Sequence, residues 1–136
     1  MDMHLVEIGR VRSRLTDKAT APKSEHEGAP DALVAINPAY AEALDDLEPG
    51  ATVVLITWLD RADRSTLKVH PRGDPSRPLR GVFTTRSPDR PNPLGLHEVT
   101  IRSIDNLTLT LGPLEALDGT PVVDIKPLRT INDKAS

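Results

Sequence analysis

Between Val99 and Leu111 the chain alternates apolar and polar residues with a period of two. No other feature constrains the fold as much. Val99 and Ile101 alternate with Thr100 and Arg102, and Leu107, Leu109 and Leu111 alternate with Thr108 and Thr110. Successive side chains of a strand point to opposite faces, so the pattern predicts two half-buried strands. Asp105-Asn106 between them reads as a hairpin turn.

Further strand signals lie on either side. Leu5 to Val11 reads as a strand whose inward phase changes near Gly9, as a bulge would cause. Asp31 to Ile36 is a second strand. Thr52 to Leu59 is a continuous apolar, β-branched run, which predicts a strand buried on both faces. Gly81 to Thr84 and Pro121 to Ile125 are short strands, and Leu67 to His70 is another inside a loop marked by Pro71, Gly73, Pro75 and Pro78. Residues 15 to 30 read as a polar loop. One helix is expected from Pro38 to Leu47, with Asn37 as N-cap, Pro38 in the first turn and Pro49-Gly50 as the stop. Many short strands with turns between them and one short helix predict a mainly β fold, a small antiparallel barrel or sandwich.

Composition narrows the function. A chain of 136 residues predicts one domain spanning 1–136. The chain has no cysteine, so disulfides and thiolate metal sites are excluded and a reducing cytoplasm fits. His4, His26, His70 and His97 show no metal-ligand spacing, so no metal is expected. The N-terminus lacks a signal-peptide pattern, and Val53 to Ile56 is too short to cross a bilayer, so no membrane partner is expected. Net charge is −3, which argues against a wholly basic nucleic-acid binder. Its distribution is uneven. Residues 31–60 carry six acidic and no basic residues, whereas residues 61–90 carry eight basic against three acidic. An anionic partner would meet the second block, although solvated loop charges account for the same pattern. No P-loop, dinucleotide-binding glycine pattern or nucleophile elbow is present.

Two stretches carry the candidate chemistry. In GVFTTRSPDRPNPLGLH, Pro88, Pro91 and Pro93 fix three φ angles and stiffen the loop. Arg86 and Arg90 offer guanidinium forks suited to carboxylates or phosphates, and Ser87 and Asn92 add short polar groups. An ordinary rigid loop whose arginines cap carbonyls or pair with aspartates stands as an equal alternative. In LEALDGTPVVDIKP, Asp118-Gly119 is a tight-turn signal. Asp118 and Asp124 could bind a cation or an amine, or Asp118 could simply hydrogen-bond its own turn.

GVFTTRSPDRPNPLGL, LDGTPVVDIKP and the N-terminal IGRVRS resemble the TsaA-like (TrmO) family, in the right order and over roughly residues 6 to 128. The resemblance implies a small β-barrel that binds S-adenosyl-L-methionine, forms a homodimer and acts as a methyltransferase without a Rossmann fold. The implied acceptor is the exocyclic amine of threonylcarbamoyladenosine beside a tRNA anticodon. Alternatives are a cofactor-binding module or a small-molecule methyltransferase, either without tRNA activity. The C-terminal extension domain of longer members is not expected. By position, the implied cofactor contacts are Pro22, Lys23 and Ser24 in the first loop, Asp60 and Arg61, Arg86 and Leu96, and Ala116, Leu117, Asp118 and Gly119. Within that set, Arg86 or Arg61 could hold the carboxylate, Asp118 or Asp60 the ammonium or ribose, and Leu96 and Leu117 the adenine. Arg90, Asn92 and Lys126 are candidates for substrate binding. No general base stands out.

Overall fold

The computed structural model describes residues 1–16 and 28–128. Its strands are β1 (Gly9–Arg12), β2 (Ala32–Ile36), β3 (Thr52–Trp58), β4 (Lys68–Val69), β5 (Arg80–Gly81), β6 (Leu94–Asp105), β7 (Thr108–Gly112) and β8 (Pro121–Pro127). Six of them close into a barrel in the order β1-β2-β7-β6-β3-β8, and every pairing around it is antiparallel. Closure leaves no free sheet edge in the barrel. β4 and β5 form a separate two-stranded ribbon.

The period-two alternation becomes the barrel interior. Val11, Val34, Leu55, Val99, Ile101, Leu109, Leu111 and Val122 all point inward and are buried. Each such side chain contributes about 1.5–3 kcal/mol on leaving water. The hairpin pairs Asp105 with Thr108, so its loop residues are Asn106 and Leu107, with Asn106 at φ 54. The register shifts between Ile101 and Ser103, which leaves Arg102 as the extra residue of a bulge.

Three expectations change. β3 is not buried on both faces: Val53, Leu55 and Thr57 are buried, but Val54, Ile56 and Trp58 face outward and are only half-buried. Gly81 to Thr84 is not a strand, because β5 ends at Gly81 and Val82–Thr84 winds into a 3-10 turn. Gly9 marks close approach rather than a bulge, since a Cβ there would lie 2.7 Å from the Ala35 carbonyl oxygen. The expected helix is present, with Ala39 N–H donating to Asn37 Oδ1 at 3.0 Å. It is a 3-10 segment, Pro38–Leu44, with a kink at Tyr40.

Strand directions alternate around the barrel, so its connections fall at two ends. The β2–β3 connection (37–51) and the β6–β7 turn lie at one end. The other end receives all three remaining connections: 13–31, 59–93 and 113–120. Beneath these loops the core becomes polar. Among the described residues Thr57, His97 and Thr120 are the buried polar ones, and Thr57 Oγ1 lies 2.8 Å from His97 Nε2. Gly95 makes room for that pair, because a Cβ there would lie 2.7 Å from His97 Nε2. Glu115 Oε1 approaches His97 Nδ1 at 3.9 Å from the loop side.

Candidate functional site

The loop end is knitted together by side chains from all three connections. Gly119 adopts φ +84, a conformation glycine takes without strain, and its N–H donates to the Val11 carbonyl at 2.8 Å. Asp118 N–H donates to the Leu15 carbonyl at 2.7 Å, and Ser13 N–H donates to Asp118 Oδ1 at 3.0 Å. Asp118 therefore fastens the first connection to the third rather than closing its own turn. Arg61 adds the second connection, donating to the carbonyls of Asp118 and Thr16, each at 3.3 Å.

The proline-rich loop joins the same corner. Leu59 N–H donates to the Pro93 carbonyl at 2.8 Å, and Asp63 N–H to Asp89 Oδ1 at 2.9 Å. Arg64 donates to the Pro91 carbonyl at 2.8 Å and to Asn92 Oδ1 at 3.3 Å, while its guanidinium lies 5.0 Å from the centre of the Trp58 ring. The Ser65 hydroxyl and then its N–H, both donating to Asp63 Oδ1, hold the Asp63 carboxyl below the usual carboxylate range.

Arg61, Asp118 and Gly119 are brought into contact, and the exposed Asp60 precedes Arg61 in the same turn. Arg86 is exposed, with no hydrogen-bonded or ionic partner among the described residues. Leu96 lies on the outer face of β6 opposite Ile56 and is 51% exposed. Leu117 is half-buried. Ala116 sits in the core. Pro22, Lys23 and Ser24 lie outside the described residues.

The three substrate candidates lie in different settings. Arg90 turns inward and donates to the carbonyls of Val82 and Thr85. Asn92 Oδ1 receives Arg64. Lys126 pairs with Val54 near the far end of β8, roughly 16 Å down the strand from Pro121 at about 3.3 Å per residue. Sequence reasoning missed Arg12 and Arg14, which with Asp31, Leu33, Thr110 and Asp118 help line a cleft of about 650 Å³. It also missed Arg64, Trp58 and the Thr57–His97–Glu115 group. The signals available were the Asp63-Arg64-Ser65 turn pattern and a single tryptophan at a strand end. Among the described residues no cluster of three His, Cys, Asp or Glu has metal-binding geometry, and no helix is long and apolar enough to cross a membrane.

Asp118 Oδ2 has no hydrogen-bonded partner among the described residues, while Arg86 is exposed on the 59–93 connection and Leu94 and Leu96 are exposed on the outer face of β6.

Residues 10–134 match the family described as the tRNA-methyltransferase O N-terminal domain. A probable S-adenosyl-L-methionine-binding protein of Methanothermobacter thermautotrophicus is 39% identical over 127 residues, covering 93% of this chain and 90% of that protein. An S-adenosyl-L-methionine-binding protein of Archaeoglobus fulgidus is 40% identical over 124 residues, covering 91% and 88%. The crystal structure of TrmO from Pseudomonas aeruginosa matches all of this chain with a TM-score of 0.74 at 29% identity, and the chain spans 60% of that protein.

Proposed function

The chain belongs to the family of the tRNA-methyltransferase O N-terminal domain, and from that membership we propose that it binds S-adenosyl-L-methionine at the loop end of the barrel and methylates threonylcarbamoyladenosine in tRNA, at the exocyclic amine beside the anticodon. The observation that carries the reading is the contact of Arg61 with Asp118, where separate loops bearing the family's motifs are held as one surface. When bound, the cofactor supplies an electrophilic methyl group on a sulfonium.

The chain's own residues bind and orient. Arg86 is an exposed guanidinium with no partner among the described residues, available to a carboxylate. Asp118 keeps one carboxylate oxygen for an ammonium while the other holds Ser13. Leu96 and Leu117 offer apolar surface to an adenine, replacing aromatics in a chain that is 2% aromatic. A loop fixed in advance by Arg64, Asp89 and Arg90 loses little entropy on binding, and positioning then contributes most of the rate. A cytoplasmic homodimer belongs to the same reading. It is supported by the exposed apolar strip of Leu94 and Leu96 beside Ile56, which a second copy would cover.

A second reading is favoured by one observation. Archaeal relatives matched over about nine-tenths of their length bear names that stop at cofactor binding, whereas the chain spans only 60% of the TrmO crystal chain. In that reading the protein binds the cofactor without modifying tRNA, as a module or as a small-molecule methyltransferase. Incubation of the purified protein with methyl-labelled cofactor and total tRNA, followed by nucleoside analysis, separates the two. Label in methylated threonylcarbamoyladenosine supports the first. Cofactor binding with no labelled nucleoside leaves the second.

A further inference from the structure

The turn after β5 displays a phenylalanine to water and is built to keep it there. Phe83 is 87% exposed, while its neighbour Val82 is 2% exposed and anchors the turn. Arg90 donates to the carbonyls of Val82 and Thr85, Thr84 Oγ1 to the Gly81 carbonyl at 2.7 Å, and Thr85 Oγ1 to the Val82 carbonyl at 3.1 Å. With Val82 turned in and the turn fastened on both sides, Phe83 points out. Leu67 and Leu79 on the same ribbon are 67% and 56% exposed, and Val82 N–H donates to the Leu67 carbonyl at 3.0 Å. Lys68 and Arg80 lie on the ribbon strands themselves, and Arg72 and Arg77 lie on the turn between them, all four exposed. Asp74 is the one acidic residue between Arg64 and Pro88, and it already faces Arg77 at 3.7 Å and caps Ser76.

A fixed, exposed aromatic on a segment rich in cations is suited to unpaired nucleic acid, with the ring stacking on a base and the cations meeting phosphates. The geometry points to the β4–β5 ribbon as a docking surface for a single-stranded RNA loop, with Phe83 as its stacking residue. This rests on the reading of the acceptor as tRNA. The ribbon lies within the 59–93 connection, at the barrel end that carries Arg61 and Asp118. The charge excess favours RNA over a second copy of the chain, whose residues 31–60 are nonetheless acidic and are the competing occupant.

The test measures binding at low salt of an RNA stem-loop with an adenosine-containing loop, and of the same stem as a blunt duplex. It compares wild type with Phe83→Ala, Phe83→Leu and Phe83→Trp, with sedimentation and cofactor titration run alongside. Alanine and leucine are expected to weaken stem-loop binding by about 10- to 100-fold, the loss of one base stack, and tryptophan to restore it. Duplex binding, sedimentation and cofactor affinity are expected to stay as in wild type. Stem-loop binding by Phe83→Leu equal to wild type overturns the surface, because a leucine replaces an apolar contact but not a stack. A change in sedimentation in Phe83→Ala overturns it in favour of the second copy. Cofactor binding by wild type with no stem-loop binding at all overturns the RNA reading itself, and the surface with it.

Discussion

Arg86 and Arg90 stand four positions apart in one loop and play opposite parts. Arg90 is half-buried and clamps two carbonyls, while Arg86 is exposed with no partner among the described residues. Arg90→Ala should cost about 1.5–3 kcal/mol of stability, as expected for hydrogen bonds from a charged donor. Arg86→Ala should stay within about 0.5 kcal/mol of wild type in stability and weaken cofactor binding by about 1–3 kcal/mol. Urea denaturation and cofactor titration of both variants check the contrast; equal behaviour of the two contradicts it. Asp63 gives a pH prediction. Its folded pKa is depressed, so the stability it contributes is present above the ordinary carboxylate pKa of about 4 and is lost as pH falls through the lower folded value. Ser65→Ala removes the first donor, so the Asp63 carboxyl should titrate at higher pH in an NMR titration. An unmoved midpoint would mean that the hydroxyl is not the cause. The proline spacing made the loop's stiffness legible in the sequence. Which arginine faces in was not legible, because both guanidinium groups fit both roles until the Val82–Thr84 turn exists to occupy one of them.

At the level of elements, alternation named the strands but not their register. The Val99–Leu111 pattern foretold the β6–β7 hairpin, yet the bulge at Arg102 depends on pairing with Gly112 and Asp31, far away in sequence. Arg102 donates to the Gly112 carbonyl at 3.2 Å and approaches Asp31 Oδ2 at 3.5 Å. β3 was misjudged because an apolar run looks the same whether both faces are covered or one faces outward. The helical segment had its N-cap foretold at Asn37 but ends at Leu44 with Asp45 as C-cap, short of the expected Leu47 and Pro49-Gly50 stop, and seven residues do not offset the cost of nucleating an α-helix. Gly95 permits the close approach of the buried Thr57–His97 pair. Gly95→Ala should therefore destabilise the barrel by about 1–3 kcal/mol through overpacking. A melting temperature equal to that of wild type would show that the polar plug yields more easily than its contacts imply.

Across the whole molecule, antiparallel closure decides where function can sit. Six strands alternating in direction put the 13–31, 59–93 and 113–120 connections at one end. Motifs remote in sequence thereby meet, as Ser13, Arg61 and Asp118 do. The sequence showed which stretches were unusual, but their meeting required the strand order. Lys126, in contrast, pairs with Val54 toward the other end of β8. The account stands on cofactor capture by that loop end. Backbone NMR shifts on titrating S-adenosyl-L-methionine into the protein test this most directly. The predicted result is perturbation concentrated at residues 13–16, 60–61, 86–96 and 116–119, with residues 37–51 and the Asn106-Leu107 turn unmoved. Perturbation centred on the latter two segments, with the loop end silent, would contradict it.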